Sequence, residues 1–535
     1  MIPRSRTMRD AILVLVGALS MHVVTSFFGM FQTDMYSGDI IVHTEVGQPP
    51  QQHEDIPTQY TPPKKHETVL KTAVDITHEF PETYLDAHAP GWTVFRNLYM
   101  ANGTLYVVSS HPASSFPDIQ YITSTGLSAE NTPENIAARL PTAKDMSFIT
   151  PEQARRRWGP TRSQAKSPDA RNRAFNVKGN TIIFNDPDQF LNHYYHFCAE
   201  LWLGAWAMWQ GVHNIEVPPS SASEMTAPAV DRIIFPHTDL QGWRDRPGFN
   251  SYFLRAVFPS ITVEVDMDWR DRVDATSAGG EHARVWHFDK VMLTDRSAAF
   301  KGSICGAQVH RTAAEAFYAM RQINRLSKWW WEPVRRGILT FAGVEQKIQE
   351  IGTRVEEAEK EKVNPYTLAA EEESKFPREK VVITYVDRQG VRRHLIDEDH
   401  EYLVRELKAL CDANGYELNL MRGETLSKEE QLAIVSRTTI LLGVHGNGLT
   451  HLIMMSPTPI STVIELFFPG GFAHDYEWTA RALGHKHFAV WNDTYHTHPT
   501  LPWVAYPEGF QGTQIPVYAP TVTQIIQDRI AGKLR

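Results

Sequence analysis

Residues 443–451, with the sequence Gly-Val-His-Gly-Asn-Gly-Leu-Thr-His, are the part of this chain best suited to bind an anion. They join a run that predicts a buried strand, 439–443, to an apolar stretch that predicts a helix. A strand, a glycine turn and a helix N-terminus gather backbone N–H groups at one point, which suits a phosphate. Gly446 and Gly448 allow close approach of the backbone, and His445 can donate a hydrogen bond. The alternative interpretation is an ordinary turn of an α/β sheet.

The elements of the second half would place this turn at the edge of a sheet. Predicted strands at 381–387, 416–421, 439–443, 463–468 and 487–491 alternate with predicted helices at 398–413, 427–437, 449–455 and 473–483. Such alternation with short connections predicts a parallel, doubly wound α/β sheet, whose ligands bind beyond the carboxyl ends of the strands. Arg388, His445 and Glu465 all fall there.

The first half is less regular. It predicts strands at 92–95, 104–108, 181–184, 231–235, 261–265 and 290–293, with a loop over 141–173. From His193 the apolar pattern is helical, and His196 and Glu200, four residues apart, share one face. Residues 344–378 are dense in Glu and Lys and predict a solvated helix and linker between the halves.

Several of these segments resemble glycosyltransferase family 61 in order and spacing, over roughly residues 192–493. The family includes lumenal O-linked N-acetylglucosaminyltransferases of animals and xylosyl- and arabinosyltransferases of plants. The matching segments are 194–198 (Tyr-Tyr-His-Phe-Cys), 383–389 (Ile-Thr-Tyr-Val-Asp-Arg-Gln) with Arg392 and Arg393, 443–451, and 463–467 (Val-Ile-Glu-Leu-Phe). Asn447 departs from the family, which more often has alanine there, but asparagine is tolerated in a turn.

The resemblance implies a GT-B-like fold with two facing Rossmann-like domains, and inverting transfer of a sugar from a UDP-sugar. The leaving diphosphate gains negative charge, which cations and N–H dipoles stabilise. The donor-site candidates are the cations Arg388, Arg392 and Arg393, and the turn residues His445, Gly446, Asn447, Gly448, Leu449 and Thr450. Glu465 is a candidate for a ribose contact, with a structural pairing as the alternative.

Inverting transfer also needs a general base for the hydroxyl of the acceptor, and His196 and Glu200 are the candidates. A histidine of this kind can instead be a core residue, and Asp239 and Asp245 are further possible bases. Asp186-Pro-Asp188 and Asp266-Met-Asp268 could hold a divalent cation in a different class of transferase. Because arginines and a helix end can carry the phosphate charge, we expect no required cofactor and no metal, with the UDP-sugar as donor substrate.

Length and composition bound the remaining possibilities. With 535 residues the chain is too long for one compact domain, and its composition is globular, with 42% hydrophobic residues. A net charge of −9 argues against nucleic acid as a partner. The expected domains are an N-terminal Rossmann-like acceptor-side domain at 91–331, a linker with a charged helix at 332–378, and a C-terminal nucleotide-sugar-binding domain at 379–535.

The N-terminus predicts a membrane anchor. Residues 11–31 have no formal charge and follow Arg4, Arg6 and Arg9, which predicts a cytosolic tail at 1–10 and a type II transmembrane signal anchor. A cleaved signal peptide is the competing interpretation. The polar, proline-rich stretch 32–90 predicts a disordered stem. We therefore expect a lumenal catalytic domain in the Golgi or endoplasmic reticulum, with the membrane bound through the N-terminal helix.

Asn102-Gly-Thr104 and Asn492-Asp-Thr494 match the N-glycosylation pattern, which suits a lumenal chain. The expected acceptor is a glycan or a glycoprotein, and the expected sugar is xylose or N-acetylglucosamine. The alternative is a catalytically inactive lumenal protein of the same fold that binds carbohydrate or nucleotide. Such a protein would keep the sheet and lose the phosphate-binding cations, whereas Arg388 and His445 are both present.

Overall fold

A computed structural model describes residues 75–130, 132–213, 227–299, 311–366 and 378–534. The described residues form one compact unit. The expected tail, anchor and most of the stem lie outside the described residues. None of the helices in the described ranges is long and apolar enough to cross a membrane. The stem was expected to reach residue 90, but its last residues, Tyr84–Ala89, form a strand that pairs with the next one.

The first sheet is mixed. Its strands are β1 (Tyr84–Ala89), β2 (Trp92–Ala101), β3 (Thr104–Val108), β4 (Met146–Ile149), β5 (Ala174–Phe184), β6 (Arg232–Ile234), β7 (Thr262–Glu264) and β8 (Val285–Thr294). They lie in the order β4-β3-β2-β8-β5-β6-β7, with β1 beside β2. Strands β8, β5, β6 and β7 run parallel to one another, whereas β2 is antiparallel to β1, β3 and β8. Only part of this sheet therefore has the parallel arrangement of a Rossmann-like domain.

The second sheet confirms the predicted doubly wound arrangement. Its strands are β9 (Val382–Val386), β10 (Glu417–Met421), β11 (Ile440–Val444), β12 (Thr462–Leu466), β13 (Lys486–Trp491) and β14 (Thr494–His496). The order is β10-β9-β11-β12-β13-β14, and all neighbours are parallel except β13 and β14. Every residue of β9, β11 and β12 is buried, as expected for strands covered by helices on both faces.

Helices cover both sheets, and several have clear start signals. Ser427 and Glu430 form the predicted capping box at the start of Lys428–Arg437. The α-helices are Pro133–Arg139, Pro151–Trp158, Trp202–Val212, Phe249–Val257, Asp266–Asp274, Arg296–Ala299, Arg311–Gln322, Glu332–Phe341, Gln346–Gln349, Ile351–Lys360, Asp397–Asn414, Lys428–Arg437, Asp475–Ala482 and Ala519–Ile530. Tyr195–Leu201 is a π-helix, and Asn447–Met454 is a 3-10 helix where an α-helix was predicted.

One sequence prediction about a connecting segment is wrong. The stretch 141–173 was expected to be a loop, but it contains β4 and the helix Pro151–Trp158, which Thr150 and Gln153 cap. Residues 344–378 were expected to be a solvated helix and linker, and the helix Ile351–Lys360 lies there, with Val355 and Ala358 buried. Just before this segment, the helix Glu332–Phe341 buries an ion pair between Glu332 and Arg335. Both segments pack because their apolar residues reach the core. The largest hydrophobic core contains Trp202 and Phe253 of the first half together with Leu449 of the second.

Candidate active site

The glycine turn lies where the order of the second sheet reverses. The chain leaves β9 for β10 on one side and reaches β11 on the other, so the carboxyl ends of β9 and β11 border a topological switch point. Arg388 follows β9, and His445 follows β11. The structure thus brings these two predicted residues together at the edge where open α/β sheets bind ligands.

Arg388 packs directly on the backbone of the turn. Its Nη1 donates to the carbonyl oxygen of His445 at 3.0 Å. A Cβ atom at Gly446 would lie 1.7 Å from that same Nη1, and Gly446 has a φ of +146°, which side-chain-bearing residues rarely adopt. Gly448 is also needed for packing, since a Cβ there would lie 2.7 Å from Val386. Glycine is therefore required for the close approach of the arginine.

The 3-10 helix Asn447–Met454 begins directly after this turn. Its first amides, those of Asn447 and Gly448, have no acceptor within the helix and are the N–H groups available to an anion. The side chains of Leu449 and Thr450 are fully buried, so they support the turn and do not reach a ligand. Their predicted place in the donor site stays a prediction, which their backbone groups would have to fulfil.

His445 belongs to a buried cluster with Glu465 and His487. Nδ1 of His445 is hydrogen bonded to Oε1 of Glu465, and Nε2 of His487 lies 2.7 Å from the other carboxylate oxygen. Burial raises the pKa of Glu465 and lowers the pKa of His487 to about 4. Both oxygens of the fully buried Glu465 are thus engaged by histidines. Its predicted ribose contact stays untested, and the geometry favours a role in orienting His445.

The three arginines are held in different ways. Nη2 of the exposed Arg392 donates to Gln511 at 2.7 Å. Arg393 makes no hydrogen bond or ion pair with any residue in the described ranges. Burial lowers the pKa of Arg393, while nearby Tyr476 and Asp475 oppose that change. Because its guanidinium is half-buried and lacks such partners, Arg393 is better placed than Arg392 to bind a phosphate.

His196 and Glu200 contact each other as predicted, although they lie on a π-helix. Nδ1 of His196 lies 2.8 Å from Oε2 of Glu200. The His196 side chain is 17% exposed and that of Glu200 is 0% exposed. Glu200 therefore cannot contact an acceptor, and of the two predicted bases only His196 can. The bulge of a π-helix is common at functional sites.

The π-helix is joined to the second half next to the glycine turn. Oδ1 of Asn447 accepts a hydrogen bond from the backbone N–H of Tyr195 at 3.1 Å, and the Tyr195 hydroxyl donates to the carbonyl of Asp475 at 2.7 Å. The buried His451 lies 3.4 Å from the hydroxyl of Tyr194 and 2.9 Å from Gln431. The predicted base and the predicted donor turn are thus neighbours in space.

His193 lies near residues of both the predicted base and the predicted donor site. Burial lowers the pKa of His193; His196 and Arg393 lower it further, whereas Asp475 and Glu200 oppose the change. The rings of His193 and His196 lie 4.9 Å apart. Charged groups from both halves therefore lie close together around His193.

The acidic alternatives have local structural partners. Asp239 accepts from the amides of Gln241 and Gly242, and Asp245 is buried and accepts from the amide of Asn250. Asp268 caps its own helix through the amide of Val265. Asp266 pairs with Arg270, and Asp186 pairs with Arg296. These contacts favour structural roles for both Asp-x-Asp patterns.

Sequence reasoning missed Asp475, Tyr476 and Arg296. Asp475 begins the helix Asp475–Ala482, and the ring of Tyr476 lies 5.7 Å from that of His445. A helix start after β12 was the signal available for Asp475. Nothing in the sequence could link Arg296 to Glu200, because their contact depends on the fold of the first sheet.

Both candidate glycosylation sites lie in hairpin turns. Asn102 is exposed between β2 and β3, and Asn492 is half-buried between β13 and β14. Both have positive φ, which asparagine tolerates.

Comparison with known proteins supports the resemblance stated above. Residues 218–464 match a family model described as Glycosyltransferase 61. An EGF domain-specific O-linked N-acetylglucosamine transferase of Drosophila melanogaster is 40% identical over 82 residues, which is 15% of this chain and 15% of that protein. The chain thus covers about a sixth of the length of this curated relative. The family match includes Arg388, Arg393 and the glycine turn, whereas His196 and Asp475 lie outside it.

Proposed function

We propose that this chain is an inverting glycosyltransferase that moves a sugar from a UDP-sugar to a hydroxyl group of a glycan or protein. The observation that carries the proposal is the switch point of the second sheet, where Arg388, Arg393 and the amides of the turn converge. Those groups supply the positive charge that a departing diphosphate needs, in a partly buried setting that strengthens it. A GT-B-like arrangement, with the first sheet on the acceptor side, is part of this proposal.

His196 is the proposed general base. The acceptor hydroxyl would give its proton to His196 while its oxygen forms the new bond to the anomeric carbon. The bond between that carbon and the β-phosphate oxygen breaks, and the electron pair leaves with UDP. Neutralisation by arginines supports a reaction without a metal, so transfer should survive treatment with EDTA.

The donor is proposed from the name of a relative, and the compartment from the N-terminal sequence. The Drosophila relative is an O-linked N-acetylglucosamine transferase, so UDP-N-acetylglucosamine is the first donor to test and UDP-xylose the second. That name also favours a protein acceptor. The arginine flank of residues 11–31 supports a type II anchor with the catalytic domain in the lumen of the Golgi or endoplasmic reticulum.

The full-length chain, purified in detergent, would be screened by thermal shift against UDP-sugars and other nucleotide sugars. A donor that binds the folded protein raises its melting temperature. The selected donor would then be tested for UDP release and for transfer to a folded EGF-like domain, with the anomeric configuration of the product read by NMR. Inverted product supports the proposal. Binding without turnover would favour an inactive nucleotide-binding protein instead.

A further inference from the structure

A buried chain of charged side chains continues behind His196. Oε1 of Glu200 accepts from Nη1 of Arg296 at 2.7 Å, and Nε of Arg296 donates to Oδ1 of Asp186 at 2.5 Å. Arg296 is 5% exposed and Asp186 is 2% exposed. Together with the contact between His196 and Glu200, these bonds form a continuous row of four side chains. The row consists of His196, Glu200, Arg296 and Asp186.

The first sheet positions this row. Asp186 comes shortly after β5, and Arg296 shortly after β8. These two strands are parallel neighbours, so their carboxyl ends lie side by side. Asp295, next to Arg296, accepts from the Asn185 side chain at 2.8 Å and from the amide of Ser124 at 2.6 Å. Asp186 and Arg296 are therefore anchored at the edge of the sheet, whereas His196 and Glu200 are held by the π-helix.

Acidic and basic groups alternate along the row, because Arg296 bonds both Asp186 and Glu200. Burial alone would lower the pKa of Arg296, but Asp186 and Glu200 raise it, so the arginine stays charged. Burial raises the pKa of Asp186, and Arg296 opposes that change. A proton on His196 would place a positive charge directly against the buried carboxylate of Glu200, which stabilises that charge.

Other groups also face His196. The ring of Tyr195 lies 5.3 Å away, and that of His193 lies 4.9 Å away. Asp475 and Arg393 act on His193 with opposite signs. Behind the row, burial and then Asp186 raise the pKa of Asp295 to about 6. Glu200 is hydrogen bonded to His196 directly, and Asp186 is connected to it through Arg296.

We propose that Glu200, Arg296 and Asp186 are positioning residues that fix the tautomer of His196 and stabilise the imidazolium formed when it takes the proton of the acceptor. This inference rests on the proposed function. With Nδ1–H donated to an ionised Glu200, the lone pair that accepts the proton is on Nε2. Arg296 keeps Glu200 ionised and in place, and Asp186 holds Arg296.

The test is the pH dependence of kcat/KM in variants of the row. A general base works only when it is unprotonated. Removal of a nearby negative charge makes protonated His196 less stable. The acidic side of the pH profile of kcat/KM, here called the acid limb, should therefore move to lower pH. Glu200→Gln should lower turnover by roughly 10²-fold and move the limb by about one pH unit or more. Asp186→Asn, one contact further away, should move it in the same direction by less. Arg296→Lys keeps the charge, so turnover should fall while the limb stays near its original position.

Glu332→Gln is the matched control, because Glu332 is also a buried carboxylate bonded by two arginines but lies outside the row. It should lower stability and leave the acid limb in place. Should Glu200→Gln not fold, Asp186→Asn carries the same test, since it leaves the contact between His196 and Glu200 intact. An unmoved limb in folded Glu200→Gln or Asp186→Asn would overturn the inference. Wild-type turnover in His196→Ala would instead reject the proposed base, whatever the row does.

Discussion

Arg388, Arg392 and Arg393 carry the same charge, but only two of them are placed to use it on a diphosphate. Arg388 lies across the turn, and Arg393 is half-buried near Asp475 without a hydrogen-bonding partner among the described residues. Arg392, in contrast, is exposed and bonded to Gln511. We expect Arg388→Ala and Arg393→Ala each to lower the single-turnover rate by roughly 10²-fold. Arg388→Lys should restore only part of this, because an ammonium lacks the fork of donors.

Arg392→Ala is the matched control for these two variants, and we expect its rate to fall less than tenfold, because an exposed charge is screened by water. The rates would be measured on folded variants at saturating donor, with donor affinity measured by calorimetry. Equal losses in all three variants would show that the arginines act through overall charge and not through their positions.

Gly446 tests the close approach of Arg388 more directly. In Gly446→Ala the new Cβ would displace Nη1 of Arg388, which should weaken donor binding by roughly tenfold or more. Gly415→Ala is the control: Gly415 also has positive φ, but a Cβ there meets nothing within 4 Å. It should cost stability through backbone strain alone and leave donor affinity unchanged. Unchanged affinity in Gly446→Ala would mean that Arg388 does not bind the donor from this position.

His445 is largely buried, although it belongs to the glycine turn. It is 7% exposed, and its ring stacks on that of Phe467 with 5.0 Å between the ring centroids. Its Nδ1 atom is also hydrogen bonded to the carboxylate of Glu465. A loss of activity in His445→Ala would therefore mix a lost donor contact with a cavity. This is why the arginines and Gly446 test the donor site more cleanly.

At the scale of elements, the second sheet could be predicted because its strands are short apolar runs separated by amphipathic helices, and each boundary has a local signal. The first sheet could not, because β2 pairs with β8, nearly two hundred residues away, and no local pattern encodes that partner. The π-helix was also unpredictable, since the residues from Tyr195 to Gly211 are almost all buried and show no apolar stripe.

The candidate site also has one part that the sequence predicts and another that it does not. Arg388 and the glycine turn were predictable from their positions after two strands of a doubly wound sheet. The partners of Glu465 were not, because His487 reaches it from the neighbouring strand β13. The helix Pro151–Trp158 was a different kind of miss: Thr150, Pro151 and Gln153 are a readable start signal that the basic, serine-rich composition around it obscured.

Asn447 joins two elements, and its replacement tests how firmly they must be held. Asn447→Ala removes the acceptor for the Tyr195 amide, so the π-helix that carries His196 loses one contact with the donor turn. We expect transfer to fall up to about tenfold with donor affinity near its original value, because the base would be less well aligned. Asn414→Ala, which removes a comparable side-chain bond to Leu410 in a distant helix, should leave both quantities unchanged. A loss of donor affinity alone would place Asn447 in donor binding instead.

At the scale of the whole molecule, the two sheets share one core. Nε1 of Trp331 donates to the carbonyl of Ile453 at 2.9 Å, and Nε1 of Trp330 donates to that of Ala482 at 3.3 Å. The end of the expected N-terminal domain (91–331) thus inserts two indoles into the second half. Because buried donors must keep their partners, separation of the halves would cost these bonds as well as apolar burial. The two halves are therefore held firmly against each other.

The same burial makes the stability of the whole molecule sensitive to acid. Burial lowers the pKa to about 4 in six histidines, which are His88, His193, His287, His451, His485 and His487. Between their ordinary pKa near 6.5 and about 4, the unfolded chain binds more protons than the folded one, so stability falls as pH falls through this window. Asp295, with its pKa raised to about 6, acts in the opposite direction. Burial also raises the pKa of Asp186, Asp245, Glu359 and Glu465, and the six histidines outnumber these five carboxyl groups.

Urea unfolding at pH 7.5 and pH 5 should therefore show lower stability at pH 5, by about 1–2 kcal/mol for each contributing histidine. His485→Asn should reduce stability at pH 7.5, since Nδ1 of His485 bonds Ser461 at 2.9 Å, and should also shrink the difference between the two pH values. His282→Asn, at an exposed position, should change neither quantity. A protein equally stable at both pH values would mean that these histidines are protonated in the folded state, and that the buried sites admit more water than their packing implies.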